Sequence, residues 1–162
     1  MSSPTEQRIV VFTAQSKAYF YCRDVVCEYV FKAQCIPVNP FRVFEYFLGD
    51  RVERDWVRQG NNNLLRICDE LWVFGPIANG VLFEIHYAQS LNKPVRFFSI
   101  GTKASEIGAL SREQLSFEPE LHAGGIKKED LLARIFPSQN DESELTTQLP
   151  LLNKEYLQRK HL

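Results

Sequence analysis

The stretch CDELWVFGPIANGVLFEIHYA, from Cys68 to Ala88, places one carboxylate in a largely apolar setting. Glu84 stands four residues after Gly80, about one turn inside a helix that the pattern starts near Asn79, a good N-cap type. Side chains tilt toward a helix N-terminus, so this carboxyl leans back over the opening at the end of the preceding strand. Two roles fit that placement. A carboxylate there complements the positive end of the helix dipole. It also suits attack at an anomeric carbon, where the transition state is cation-like and a glycosyl ester is stable enough to form yet reactive enough to turn over.

Other reacting groups have less to recommend them. The chain has no GxGxxG after a strand, no Walker loop, no HExxH and no GxSxG. His86, His122 and His161 are widely spaced and read as ordinary core or surface histidines. Cys22, Cys27, Cys35 and Cys68 lack CxxC spacing and partner histidines, so they read as reduced, mostly buried thiols; neither a metal nor a cofactor is expected. Arg51, Glu53, Arg54 and Asp55 form a charged helix start, with an arginine reaching a phosphate as the alternative. Asp69 and Glu70 fall at a strand's beginning, away from the reactive edge, and Tyr19 and Tyr21 read as packing residues that could instead offer a hydroxyl.

The elements that must position Glu84 follow from periodicity. RIVVF, Arg8 to Phe12, predicts a central parallel strand, Lys17 to Lys32 a helix, and QCIPVNP a short strand limited by its prolines. FRVFEYFLG, Phe41 to Gly49, is aromatic and irregular, a turn, loop or lid. Arg51 to Cys68 predicts a helix with Val52, Trp56, Leu64 and Ile67 inward, despite Gly60 and Asn61-Asn62-Asn63 in its middle. Glu70 to Phe74, a helix over Gly80 to Leu91, and a strand in NKPVRFFSIG come next. LSFEP, Leu115 to Pro119, predicts a fifth, edge strand, and Lys127 to Phe136 a last helix. Such alternation predicts an α/β fold, a mostly parallel five-stranded sheet covered on both faces, over residues 1–136. Residues 137–162 read as a linker and C-terminal arm.

In an open parallel sheet, ligands bind outside the carboxyl ends of the strands, where strand order reverses. That rule selects the loops Thr13 to Ser16, Asn39 to Phe44 and Gly75 to Gly80. With Glu84 as the catalytic candidate, Thr13, Gln15, Ser16, Asn61, Gly75, Asn79 and Gly80 are the candidate substrate-binding residues.

Composition narrows the ligand. The formal net charge is −1, too small a field to hold a polyanion, so nucleic acid is not an expected partner. No stretch approaches the roughly 20 apolar residues of a membrane span and the first residues do not read as a leader, so a cytoplasmic protein without membrane contact is expected.

CDELWVFG followed by NGVLFEIHYAQSLNKPV resembles the nucleoside 2-deoxyribosyltransferase-like superfamily, and is most similar to uncharacterised bacterial and phage proteins within it. The resemblance runs from about Cys35 to Ile100. It implies a flavodoxin-like three-layer α/β/α sandwich, assembly as a homodimer or larger homo-oligomer, and cleavage of the N-glycosidic bond of a nucleoside or nucleotide by a catalytic glutamate matching Glu84, with the turn glycine at Gly80. An aspartate that contacts the base in the transferases is Ala78 here, and a second acidic residue falls near Asn61. The expected function is therefore N-glycoside hydrolysis or transfer. The alternative is a module that binds a nucleotide or a nucleotide-derived signal without turnover.

Overall fold

In the computed structural model the described residues are 3–45 and 51–137. β1 (Val10–Gln15) and β3 (Glu70–Phe74) are apolar runs buried on both sides, as central parallel strands must be. Their register pairs Phe12 with Leu71 and Gln15 with Phe74. β2 (Ile36–Val38) pairs only with β1, and its Pro37 is tolerated because one edge of the strand needs no ladder donor. β4 (Val95–Phe98) pairs with β3, giving the order β2-β1-β3-β4, all parallel.

Alternation along the strands builds a core on each face. Val11, Trp72, Phe74 and Phe98 meet Val26, Tyr29 and Val30 of α1 (Arg23–Lys32). Phe12, Ala14, Leu71, Val73 and Phe97 meet Leu65 of α3 (Arg54–Ile67), Val81, Ile85 and Ala88 of α4 (Asn79–Ser90), and Leu131, Leu132 and Ile135 of α5 (Lys128–Ile135). A one-turn helix, α2 (Pro40–Val43), lies between β2 and α3. At the lower edge, Glu70 accepts from Trp72 Nε1 at 2.7 Å and Arg96 Nε at 2.9 Å, and Arg96 holds its carboxyl below the usual range. Asp69 accepts from the Val10 N–H at 2.8 Å, so both acids serve the fold.

Several sequence expectations need correction. The sheet has four strands among the described residues: Leu115 to Pro119 makes only an isolated parallel bridge, Ile77 to Phe117, beside the loop that follows β3. Lys17 to Lys32 is two elements, a 3-10 helix (Lys17–Cys22) and then α1, because Ser16 Oγ accepts from the Ala18 N–H and Tyr19 leaves helical geometry. On α3, Trp56 and Ile67 are 71% and 72% exposed and Val52 precedes the helix. The inward face there carries Val57, Asn61, Leu64 and Leu65, half-buried or buried positions that include an asparagine because part of this face lines a cleft.

The four cysteines are free thiols, two buried and two half-buried, with burial pushing Cys68 up to about 11. Among the described residues no helix is long and apolar enough to cross a membrane. The residues 46–50 of the aromatic segment, His161 and the expected C-terminal arm from 138 onward lie outside the described residues.

Candidate functional site

Strand order reverses between β1 and β3: from β1 the chain turns toward β2, from β3 toward β4. Loops leaving adjacent strands in opposite directions cannot fill the space between them, and a cleft opens there. Its volume is about 670 Å³. Ala14 to Ala18 form one part of the wall, Pro40, Phe41 and Phe44 another, Asn61 and Asn62 of α3 a third, and the first turns of α4 the fourth.

Glu84 lines this cleft. Its side chain is half-buried, and among the described residues no hydrogen bond or ion pair reaches its carboxyl. Burial alone pushes its pKa from 4.5 up to about 8, since no neighbouring donor or cation offsets the lost hydration. The helix leaves room in front of it. A β-carbon at Gly80 would meet nothing within 4 Å, so the cleft is open over this turn.

Five of the expected residues come together here: Gln15, Ser16, Asn61, Gly80 and Glu84 all line the cleft. Gln15 is committed to the wall itself. Its Nε2 donates to the Tyr19 carbonyl at 2.7 Å and its Oε1 accepts from Asn39 Nδ2 at 3.0 Å, while Asn39 Oδ1 accepts from the Phe41 N–H at 3.0 Å. This buried chain ties the loops after β1 and β2 into one rigid side. Asn61 Oδ1, in contrast, is shielded from water and has no hydrogen-bond partner.

Thr13, Gly75 and Asn79 stand apart from the cleft wall. Thr13 is fully buried, on the side of β1 that carries Val11. Gly75 has a φ of +75° and faces Ile100, whose Cγ2 would stand 2.6 Å from a β-carbon, so its role is to let the chain turn off β3. Asn79 is the first residue of α4 and Ala78 the cap; the Asn79 N–H donates to Glu120 Oε1 at 3.1 Å. Trp72 and Phe74 belong to the aromatic cluster around Tyr29 on the α1 face, and Phe83, from α4, lines the cleft. Neither tyrosine of the 3-10 helix lines it; they stack on each other at 6.1 Å.

The structure also supplies residues that spacing did not select. Lys17 and Arg58 line the cleft, with Arg58 Nη1 donating to Asp55 Oδ1 at 3.2 Å, and they are joined there by Arg54 of the charged helix start, one of the two arginines considered above for a phosphate. Glu118 lines it too, from the segment expected to be a strand. Phe41 and Phe44 carried a signal in the density of aromatics after Asn39, but Glu118 carried none: nothing local says that residue 118 returns to the mouth of β3. Among the described residues, no group of three or more His, Cys, Asp or Glu is placed to hold a metal ion.

Residues 12–98 match the family model described as "Domain of unknown function (DUF7768)", a span of more than half the chain. A search of the curated proteins finds no match. The matched span runs from β1 to the end of β4 and includes Glu84. The chain belongs to the DUF7768 family.

Proposed function

We propose that this member of the DUF7768 family is an N-glycoside hydrolase or transferase that acts on a nucleoside or nucleotide through Glu84, in the manner of the nucleoside 2-deoxyribosyltransferase-like superfamily it resembles. The observation that carries this reading is the Glu84 carboxyl: desolvated, without a partner of its own, and set in a cleft large enough for a nucleotide-sized ligand. A carboxylate with no hydrogen bonds to surrender attacks C1′ readily once ionised, and the cation-like sugar of the transition state favours its charge. Water or a second base then resolves the ester. The strand order supports a flavodoxin-like sandwich with one strand fewer than expected, and the same reading takes the protein as a cytoplasmic homo-oligomer.

The test is release of free base from a panel of nucleosides and their 5′-monophosphates, followed by chromatography with mass detection, for the wild type beside Glu84→Ala. Base freed by the wild type and not by the variant is the expected result. Because attack needs the carboxylate, kcat/KM should climb as pH rises toward about 8. A wild type that frees no base from any compound, while the same compounds raise the melting temperature of both proteins, overturns catalysis in favour of a binding module. Ala78 and Asn61 on the cleft wall, where the resembled transferases carry acids, favour that second reading.

A further inference from the structure

Glycosidic cleavage needs more than a nucleophile. The base leaves as a poor anion unless a proton reaches it, and the water that resolves the ester must give a proton up. Asn61 stands where the resemblance puts an acid, and an amide exchanges no proton under these conditions. The cleft contains another carboxyl.

Glu118 reaches the cleft because its backbone is tied to the loop after β3. The Ile77 N–H donates to the Ser116 carbonyl at 2.9 Å, and the Glu118 N–H donates to the Ile77 carbonyl at 2.9 Å. One residue beyond Pro119, Glu120 takes the Asn79 N–H and docks the segment on the first residue of α4. Glu118 is thus fixed to the same helix start that carries Glu84. Its side chain is half-buried, makes no hydrogen bond or ion pair among the described residues, and has Oε1 shut off from water. Burying a carboxyl oxygen without a partner is unfavourable, so its presence on a cleft wall calls for a role there. Glu45 and Glu120 also line the cleft, but both are exposed and Glu120 is engaged with Asn79.

We infer that Glu118 is the proton-exchanging partner of Glu84, the group that protonates the departing base and then takes a proton from the attacking water. The inference rests on the glycosidic reading of the cleft. In the first step a Glu84 oxygen bonds to C1′, the C1′–N bond breaks with its electron pair going to the base nitrogen, and the Glu118 carboxyl supplies that nitrogen's proton. In the second, water oxygen bonds to C1′, the ester bond to Glu84 breaks to regenerate its carboxylate, and Glu118 receives the water's proton. The sum is nucleoside plus water giving sugar plus base.

The test compares leaving groups. Inosine needs a proton on its departing base, whereas nicotinamide riboside releases a neutral base without one. Both are given to the wild type, Glu118→Gln and Glu118→Asp, together with whichever nucleoside or nucleotide the wild type cleaves fastest, and the first equivalent of base released is timed. The expected result is a loss of about 100-fold or more for Glu118→Gln on the proton-requiring substrates, at most a few-fold on the first turnover of nicotinamide riboside, and partial recovery in Glu118→Asp. Equal losses on both classes, or none on either, overturn this role while leaving the glycosidic reading in place. No base from the wild type on any substrate overturns the glycosidic reading, and this role with it. Should Glu118→Gln melt early, the Glu118→Asp comparison carries the same contrast.

Discussion

The ring tip of Phe44 occupies the space that a side chain would take at Gly60: a β-carbon there would stand 2.8 Å from Phe44 Cζ. Gly60 is a weak residue for the middle of α3, and the contact explains it. The helix gives up propensity so that an aromatic ring can seal the cleft against its backbone.

Gly60→Ala should therefore leave stability nearly unchanged, because about 1 kcal/mol of helix propensity is offset by displacing the ring. The cleft wall should move instead. Thermal melting should shift by less than about 4 °C, while titration with a ligand of the wild type should show a several-fold weaker affinity. A wild-type affinity would mean that the Phe44 wall plays no part in binding.

Glu84→Gln should stabilise the protein, and increasingly so at higher pH. The folded carboxyl holds its proton up to about 8 against 4.5 in the unfolded chain, so the folded state binds the extra proton between those values. Wild-type stability is accordingly undiminished by this group below about pH 4.5 and falls as pH rises through 8. Denaturant melts at pH 5 and pH 9 should show the variant gaining on the order of a few kcal/mol over the wild type between the two. Parallel pH curves for the two proteins would remove Glu84 as a buried titrating group.

Gly80→Ala should separate stability from function. The position is helical and open, so the methyl should add about 0.5–1 kcal/mol of stability, yet it enters the cleft from the turn before Glu84. A higher melting temperature with reduced ligand affinity or turnover is expected. Unchanged binding would place the ligand away from the start of α4.

Asn39→Ala removes the acceptor for the Phe41 N–H and the donor to Gln15 from a buried chain. The groups left behind lose their partners, which costs about 1–3 kcal/mol. Chemical denaturation should show a loss of that size. Faster hydrogen exchange of the Gln15 to Tyr19 amides should accompany it, and a melt identical to the wild type would show that the chain does not hold the wall.

What the sequence determined by itself is the part that depends on local pattern. The apolar runs of β1 and β3, the prolines that limit β2, and the strand, glycine turn and helix leading to Glu84 all follow from periods and residue types that neighbours in the chain set. The topological rule for parallel sheets was enough to select loops that border a cleft, and five of the eight singled-out residues line it. The misses are those in which a residue's surroundings come from far along the chain. Trp56 and Ile67 face solvent because the inner side of α3 is claimed partly by a polar cleft, which turns the buried face away from them while keeping Leu64 inside. Thr13 is fully buried within β1, short of the strand end where Ala14 and Gln15 reach the cleft. Above all, Glu118 joins Glu84 through two hydrogen bonds at Ile77, some forty residues earlier. Spacing shows which groups one element presents together; only tertiary structure decides which carboxylates share a cleft and which of them is left without a partner.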